Sequence, residues 1–182
     1  MPQPPFLGVV ERIRRERKGA KVPSFDPLNG NEGARYLFLL EAPGPKAVAR
    51  DIVSFDNPDQ TAKNLRSQLE KAGIQRSDIA LWNVVPWYLG NAEGTKIRGA
   101  MSPDVKQGVS YLRAVIESMP RLEFIVLVGG AARLAHIHLS QFSKVRILSC
   151  HHPSPKVQNT VLGAFDENVA VFKFMRAESR ES

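Results

Sequence analysis

The amino-acid sequence predicts an α/β protein, a three-layer α/β/α sandwich around a central, mostly parallel four-stranded sheet. Three observations predict this fold. Four short apolar runs lack the alternation of half-exposed strands, which is typical of strands buried on both faces. Segments with apolar residues at helical spacing separate these runs, and each run ends at Pro, Gly or a polar residue. Strands that alternate with helices form mostly parallel sheets covered on both sides.

Local patterns predict the individual elements. Helical spacing predicts helices, continuous apolar runs predict strands, and clusters of Gly, Pro and Asn predict loops. The predicted helices are residues 6–18, 61–72, 102–119, a segment after Gly130 that runs to 138, and 158–175. The predicted strands are residues 36–40, 79–85, 124–128 and 145–148. The longer loops between them are residues 22–32, 46–60 and 87–100.

Several residues mark the ends of these elements. Pro43 and Pro45 lack the N–H that a strand needs, so the first strand must end in a turn. Ser102 is the expected N-cap of its helix. Gly129 and Gly130 follow the third strand, and either close packing of strand and helix or a phosphate-binding turn would explain them.

The length of the chain predicts a single domain. At 182 residues, a single core would bury about 70% of the surface of the unfolded form. We expect one domain over residues 1–182, with an N-terminal helix and loop at 1–32 and a frayed tail at 176–182. No apolar run approaches the ~18 residues of a membrane span, and the Pro-rich start lacks the apolar stretch of a secretory signal. The expected location is the cytoplasm, and we expect a monomer.

Charge and cysteine content narrow the classes of partner and cofactor. The chain has 25 basic and 18 acidic residues, a net charge of +7, which favours polyanions such as nucleic acid. The basic face of the first helix is either a solvated surface or a DNA contact. The single cysteine, Cys150, excludes an internal disulfide and any iron–sulfur or zinc site built mainly from thiolates. We expect no metal and no cofactor, and a buried, inert thiol at Cys150.

Polar residues at the strand ends are the candidate functional residues. Glu41, Asn83 and His152 follow or close three of the strands, and ligands bind beyond the carboxyl ends of parallel strands. The Asn83 amide either makes a structural hydrogen bond or recognises a uracil-like base, because it offers one acceptor and two donors. His152 is either a surface residue or an electrostatic stabiliser of a departing anion. Ser154 and the backbone around it could hold a phosphate.

Three motifs in this order resemble those of the uracil-DNA glycosylase superfamily. Glu41-Ala42-Pro43-Gly44 is similar to the first motif of the thermophile-type branch, and Asn83-Val84-Val85 is similar to its base-recognition strand. His152-Pro153-Ser154-Pro155 is similar to the second motif. The resemblance extends from the first strand to the last helix. It implies hydrolysis of the N-glycosidic bond of uracil in single- or double-stranded DNA, which releases free uracil and leaves an abasic site after the nucleotide is flipped out.

The resemblance also implies a role for each matching residue. Glu41 and His152 would be catalytic, and His152 would stabilise charge on uracil O2. Ala42, Phe55 and Asn83 would bind uracil, with Phe55 stacked on the base unless it is a core aromatic. The implied DNA contacts are Pro43, Gly44, Ser154 and Lys156.

Two departures from the family pattern affect these roles. The thermophile-type branch has four cysteines that hold an iron–sulfur cluster, whereas this chain has only Cys150. Ala42 occupies the position where the best-known branch has a catalytic Asp. A positively charged sugar in the transition state needs a nearby negative group, and Glu41, Asp51, Asp56 or the DNA phosphates could supply it. Lys156 stands where some relatives have a bulky wedge, and it could contact phosphate instead.

The sequence alone is compatible with three other functions. A catalytically weak module could bind damaged or abasic DNA, because Ala42 replaces the catalytic Asp. The same fold could act on other deaminated or mismatched bases. A small-nucleotide-binding α/β domain is a more distant alternative.

Overall fold

The computed structural model describes residues 5–91, 93 and 95–179. Its strands are β1 (Ser24–Phe25), β2 (Tyr36–Leu40), β3 (Ile52–Val53), β4 (Ile79–Asn83), β5 (Phe124–Val128) and β6 (Arg146–Cys150). Its helices are α1 (Pro5–Glu16), α2 (Pro45–Arg50), α3 (Gln60–Ala72), α4 (Ser102–Glu117), α5 (Gly130–Arg133), α6 (His136–Leu139), α7 (Pro155–Thr160) and α8 (Ala164–Ala177).

The main sheet has four parallel strands in the order β4-β2-β5-β6. This arrangement confirms the predicted fold class. Leu40 pairs with Asn83 on one side of the sheet, and Val128 pairs with Cys150 on the other. The chain first moves from β2 to β4 and then crosses to the opposite side of β2, so the strand order reverses between β2 and β5. Open α/β sheets bind ligands at such a switch point.

Helices cover both faces of this sheet. Phe38 of β2 meets Phe172 of α8 edge to face, with ring centroids 5.2 Å apart. Trp82 is paired with Leu39, so its side chain lies on the face opposite Phe38. There it stacks on Phe25 at 4.3 Å. α1 packs against Phe25 and α4 on this side, while α3 packs against α8 on the other.

Burial on both faces explains the unbroken apolar runs. Every residue of β4 and β5 is buried, as are the first four of β2. β6, at one edge of the sheet, is the exception, because only Cys150 in it is fully buried, whereas β4 at the other edge is buried throughout. Fully burying one such apolar side chain contributes about 1.5–3 kcal/mol, so β2, β4 and β5 form the main part of the core.

Two predicted loops contain short elements. Residues 22–32 include β1, and residues 46–60 include α2 and β3. β1 and β3 form a separate two-stranded parallel pair. Two residues that pair across a long sequence distance leave no local periodicity, so the sequence pattern could not indicate them. The loop prediction was therefore wrong for these segments.

Two predicted helices are each divided in two. The predicted helix at 158–175 is α7 and α8, separated at Gly163, which has a left-handed φ of 78°. The predicted helix after Gly130 is α5 and α6, each of four residues.

The N-cap of α4 is Met101, not Ser102, and its N–H donates to Asp104 at 2.9 Å.

The C-terminal segment is held more firmly than expected. α8 continues to Ala177, the Ser179 hydroxyl lies 2.7 Å from the Tyr36 hydroxyl, and Glu178 forms an ion pair with Arg146 at 3.6 Å. The frayed tail predicted from residue 176 is wrong for 176–179, and the remaining three residues lie outside the described part of the chain.

Arg14 of α1 and Arg17, the residue after this helix, make structural contacts. Arg14 donates to the Val22 carbonyl at 2.6 Å and to both oxygens of Asp51. The Arg17 guanidinium lies 3.6 Å from the ring centroid of Trp87. These contacts join α1 to the neighbouring loops.

None of the described helices has both the length and the apolar character needed to cross a membrane.

The Phe38–Phe172 contact gives a direct test of the packing between sheet and α8. We expect Phe172→Ala to lower the free energy of unfolding by about 3–5 kcal/mol, because it opens a cavity in the core. Urea denaturation measures the loss. The matched control is Phe174→Ala on the same helix, where the ring is 53% exposed and the expected change is within about 0.5 kcal/mol. Equal losses for the two variants would contradict this packing.

Candidate active site

The candidate site lies at the carboxyl edge of the main sheet. β2 and β4 stay connected past their last paired residues, because Val84 N–H donates to the Leu40 carbonyl at 2.8 Å and Val85 N–H to the Glu41 carbonyl at 2.9 Å. These bonds hold the Pro-Gly-Pro turn against the end of β4. The edge that results is where parallel sheets place their ligands.

A cavity of about 310 Å³ opens at this edge. Its size is at the lower end of the range of small-molecule sites. The predicted site residues that line it are Ala42, Pro43, Gly44, Phe55, Asn83 and His152. The structure therefore brings together residues that end or follow β2, β4 and β6, and Phe55 from the loop after β3. Glu41, Ser154 and Lys156 are not among the lining residues.

Asn83 lines this cavity and has an unsatisfied polar atom. The residue is 2% exposed, and its Oδ1 has no hydrogen-bond partner among the described residues. A buried acceptor without a partner costs about 1–3 kcal/mol. The alternative of a structural hydrogen bond does not apply to this oxygen, so a ligand that donates a hydrogen bond would remove the cost.

His152 is held as a neutral ring. Its Nδ1 accepts a hydrogen bond from Ser154 N–H at 3.2 Å, which leaves the ring proton on Nε2. Burial lowers the pKa of His152 below its ordinary value, and the nearby charge of Glu41 opposes this shift only in part. The ring is therefore a hydrogen-bond donor through Nε2 at neutral pH.

Gly129 makes room for the His152 side chain. A Cβ added at Gly129 would lie 2.9 Å from the His152 Cβ, and φ at Gly129 is +88°. Both the space and the backbone conformation require glycine. This contact is with the loop after β6, so it is neither the close packing of strand and helix nor the phosphate-binding turn considered for this glycine.

Phe55 forms one wall of the cavity and is itself 5% exposed. The Arg76 guanidinium lies over the ring, 4.6 Å from its centroid. Arg76 is held there by Asp26 at 2.7 Å, Asp56 at 2.6 Å and Asn29 at 3.0 Å. The aromatic is thus both packed into the core and presented to the site. Arg76 was not among the predicted site residues, because no local sequence pattern connects it to Phe55.

The three predicted site residues outside the cavity have other surroundings. The Glu41 carboxylate accepts the Ala100 N–H at 2.6 Å. Ser154 occupies the N-cap position of α7 without a capping bond from its side chain, and Lys156 is exposed. Their catalytic and DNA-binding roles stay predictions.

The carboxylate that lines the cavity is Asp59, which the sequence analysis missed. Its Oδ1 caps α3 by accepting the Ala62 N–H at 2.8 Å. The other candidates are engaged elsewhere: Asp51 binds Arg14 through both oxygens, and the Arg76 hydrogen bond holds the pKa of Asp56 below its usual value. The available signal was an Asp in the N-cap position before a predicted helix.

Cys150 is buried at the end of β6. Burial raises the pKa of its thiol to about 12, so the reactive thiolate is not populated at neutral pH. The described residues contain no group of three or more His, Cys, Asp or Glu side chains arranged to hold a metal ion.

Comparisons with known proteins agree with this fold. The family model of the uracil DNA glycosylase superfamily matches residues 27–175. The fold is similar to the solution NMR structure of a candidate uracil DNA glycosylase from Methanosarcina acetivorans, with a TM-score of 0.57 and 18% identity. The match covers 86% of this chain and 99% of the other. No sequence among the curated proteins matches significantly.

The state of His152 can be tested by its titration. We expect a pKa below 6.5 and a single neutral tautomer with the proton on Nε2, both measured by ¹H–¹⁵N NMR. The unfolded chain binds this proton more readily than the folded chain does. The free energy of unfolding therefore falls as pH decreases from the unfolded pKa of about 6.5 toward the folded value.

The stability measurement has a matched control. His152→Gln should flatten that part of the pH dependence, whereas His136→Gln, at an exposed position, should retain it. A His152 ring that titrates above 6.5, or that carries its proton on Nδ1, would contradict this description of the site.

Proposed function

Because the chain belongs to the uracil DNA glycosylase superfamily, we propose that it hydrolyses the N-glycosidic bond of uracil in DNA. Water attacks C1′ of the deoxyribose, the bond to N1 breaks, and free uracil and an abasic site are the products. The chemistry requires a base flipped out of the duplex and a pocket that excludes most of the solvent. The cavity at the carboxyl edge of the sheet is the proposed pocket.

The observation that carries this proposal is the Asn83 amide, which lines the cavity and whose Oδ1 has no hydrogen-bond partner among the described residues. Uracil has a donor at N3 and an acceptor at O4 on adjacent positions of its edge. The Asn83 amide has an acceptor and a donor in the complementary order. Cytosine has the opposite pattern at these two positions, so it would leave the amide oxygen buried and unsatisfied. The amide would therefore select uracil over cytosine.

His152 and Phe55 supply the other two contacts of the base in this proposal. The Nε2–H of His152 donates to uracil O2, where negative charge develops as the glycosidic bond breaks. A neutral donor held in place before the reaction stabilises such charge without reorganisation. Phe55 stacks on the base, and the turn at Ala42–Gly44 holds the base and the attacking water beside the sugar.

We further propose that Asp59 supplies the negative group near the cationic sugar. It lines the cavity, and its Oδ2 makes no hydrogen bond to any described residue, while Oδ1 is held by α3. Glu41 remains the alternative, because both of its chain neighbours, Leu40 and Ala42, line the cavity.

DNA is the macromolecular partner in this proposal. Ser154 begins α7 beside His152, and the exposed Lys156 follows in its first turn. A backbone phosphate could bind at this position, and the net charge of +7 would favour the approach of the strand. Pro43 and Gly44 line the other side of the cavity.

The first test is uracil release. We expect the purified protein to convert a labelled oligonucleotide with one uracil into an alkali-labile product, in single- or double-stranded form. Asn83→Asp should lower the rate by about 10- to 100-fold, because it removes a hydrogen-bond donor and buries a charge. Quantified gel electrophoresis after alkali treatment measures both the uracil release by the wild-type protein and the lower rate of the variant.

Gln141→Glu is the matched control for this test, since it makes the same amide-to-carboxylate change at an exposed position and should keep the full rate. Intact strands with the wild-type protein would overturn the proposal. A panel of oligonucleotides with other deaminated or mismatched bases then identifies a different base specificity.

The second test separates the two carboxylates. Asp59→Asn keeps a good N-cap residue but removes the charge, so we expect single-turnover cleavage to fall by about 100-fold with little loss of stability. Glu41→Gln keeps the oxygen that accepts the Ala100 N–H and should change the rate by less than about threefold. The reverse result would assign the catalytic role to Glu41, and two unchanged rates would leave the DNA phosphates as the source of negative charge.

One observation favours a second candidate function. Ala42 carries no carboxylate, and that of Glu41 is engaged with Ala100. A protein without a correctly placed negative group could bind damaged or abasic DNA with little catalysis. Tight binding of an abasic oligonucleotide together with no base release from any substrate would support this function.

A further inference from the structure

Two fully buried amides lie behind the loop that carries His152. Gln68 of α3 and Asn168 of α8 are both 0% exposed, at the interface between the two helices on one face of the sheet. Asn168 donates to Gln68 Oε1 at 3.2 Å. Its remaining hydrogen bonds go to the backbone of one residue. Oδ1 accepts the His151 N–H at 2.8 Å, and Nδ2 donates to the His151 carbonyl at 2.9 Å.

The hydrogen-bond network of these two amides extends to the next two residues of the loop. Gln68 donates to Gln158 Oε1 at 3.2 Å, and Gln158 donates to the His152 carbonyl at 3.0 Å. Asn64 of α3 donates to the Pro153 carbonyl at 2.8 Å. Side-chain amides thus satisfy consecutive backbone groups of residues 151–153, a segment that follows the end of β6 and has no strand partner of its own.

The two bonds from Asn168 constrain the direction of the chain at His151. They take the N–H and the C=O of a single residue, as a neighbouring antiparallel strand would. Fixing both groups fixes φ and ψ of His151, and these angles set where the next residue begins. The imidazole of His152 is therefore placed in the cavity wall by an amide that does not itself line the cavity.

We propose that Asn168, supported by Gln68 and Gln158, is a positioning residue for His152; this inference rests on the proposed function. An amide is required because the clamp needs a donor and an acceptor on one short side chain. A displacement of about 1 Å at a reacting group can lower a rate by about 100-fold. Loss of the clamp therefore affects the chemical step more than the binding of DNA.

The experiment compares Asn168→Ala with Val169→Ala. Val169 is the next residue of α8 and is also buried, so its truncation controls for loss of packing in the same helix. All measurements are made at a temperature where circular dichroism shows every variant to be folded. For Asn168→Ala we expect the single-turnover rate of uracil release to fall by about tenfold or more, with DNA affinity within about twofold of the wild type. Val169→Ala should retain the wild-type rate.

A spectroscopic measurement separates positioning from general destabilisation. Long-range ¹H–¹⁵N spectra of the His152 ring should show one neutral tautomer in the wild type and in Val169→Ala, and a mixture in Asn168→Ala, because the loop no longer holds Ser154 N–H against Nδ1. If Asn168→Ala does not fold, Gln158→Met replaces it. Gln158 is only half-buried, and its loss should change the rate and the spectrum in the same direction.

The outcomes distinguish this inference from the proposed function. A wild-type rate and an unchanged tautomer in Asn168→Ala and Gln158→Met would overturn the positioning role alone. Equal rate losses in Asn168→Ala and Val169→Ala would also overturn it. If the wild-type protein releases no uracil, the proposed function fails, and the tautomer spectra still decide whether Asn168 positions the ring.

Discussion

The parallel register of the central strands is the constraint on which the site depends. β2 pairs with β4 and with β5 in the same direction, so every central strand delivers its last residue to one edge. A slip by one residue would move Phe38 away from Phe172 or Trp82 away from Phe25, so side-chain packing on the two faces fixes the register. The relative positions of Ala42 and Asn83 therefore follow from the hydrophobic core, whereas the position of His152 also depends on the buried amides behind its loop.

Much of this edge could be predicted from the sequence, because buried strands and the residues that end them leave local signals. The apolar run before Glu41 and the polar Asn83 at the end of another run are signals of this kind. Contacts between residues that are distant in the sequence leave no local signal. The support of Phe55 by Arg76, the space at Gly129 for His152, and the division of the last helix at Gly163 depend on tertiary packing or on one backbone angle. The position of the Glu41 carboxylate could not be predicted either, since its partner Ala100 lies in a distant loop.

The basic side chains of the protein form two groups, those with partners inside the fold and those exposed to solvent. Arg14, Arg17 and Arg76 make short contacts with carbonyls, carboxylates or aromatic rings, and they hold α1 and the Phe55 loop in place. These arginines contribute to the net charge but are already committed to partners in the free protein. Counting basic residues therefore overestimates the surface available to a polyanion. Exposed side chains such as Lys156 near the cavity are the better indicators of where a nucleic-acid strand would bind.

The unsatisfied oxygen of Asn83 has a consequence for turnover. No described residue donates to this oxygen, so any molecule with a donor in the right place gains a hydrogen bond there. Under the proposed function, that molecule includes the product, because free uracil keeps the edge by which the substrate is selected. Selectivity at this atom thus comes with product inhibition: the more strongly Asn83 discriminates between bases, the longer the excised base occupies the pocket before the next cycle.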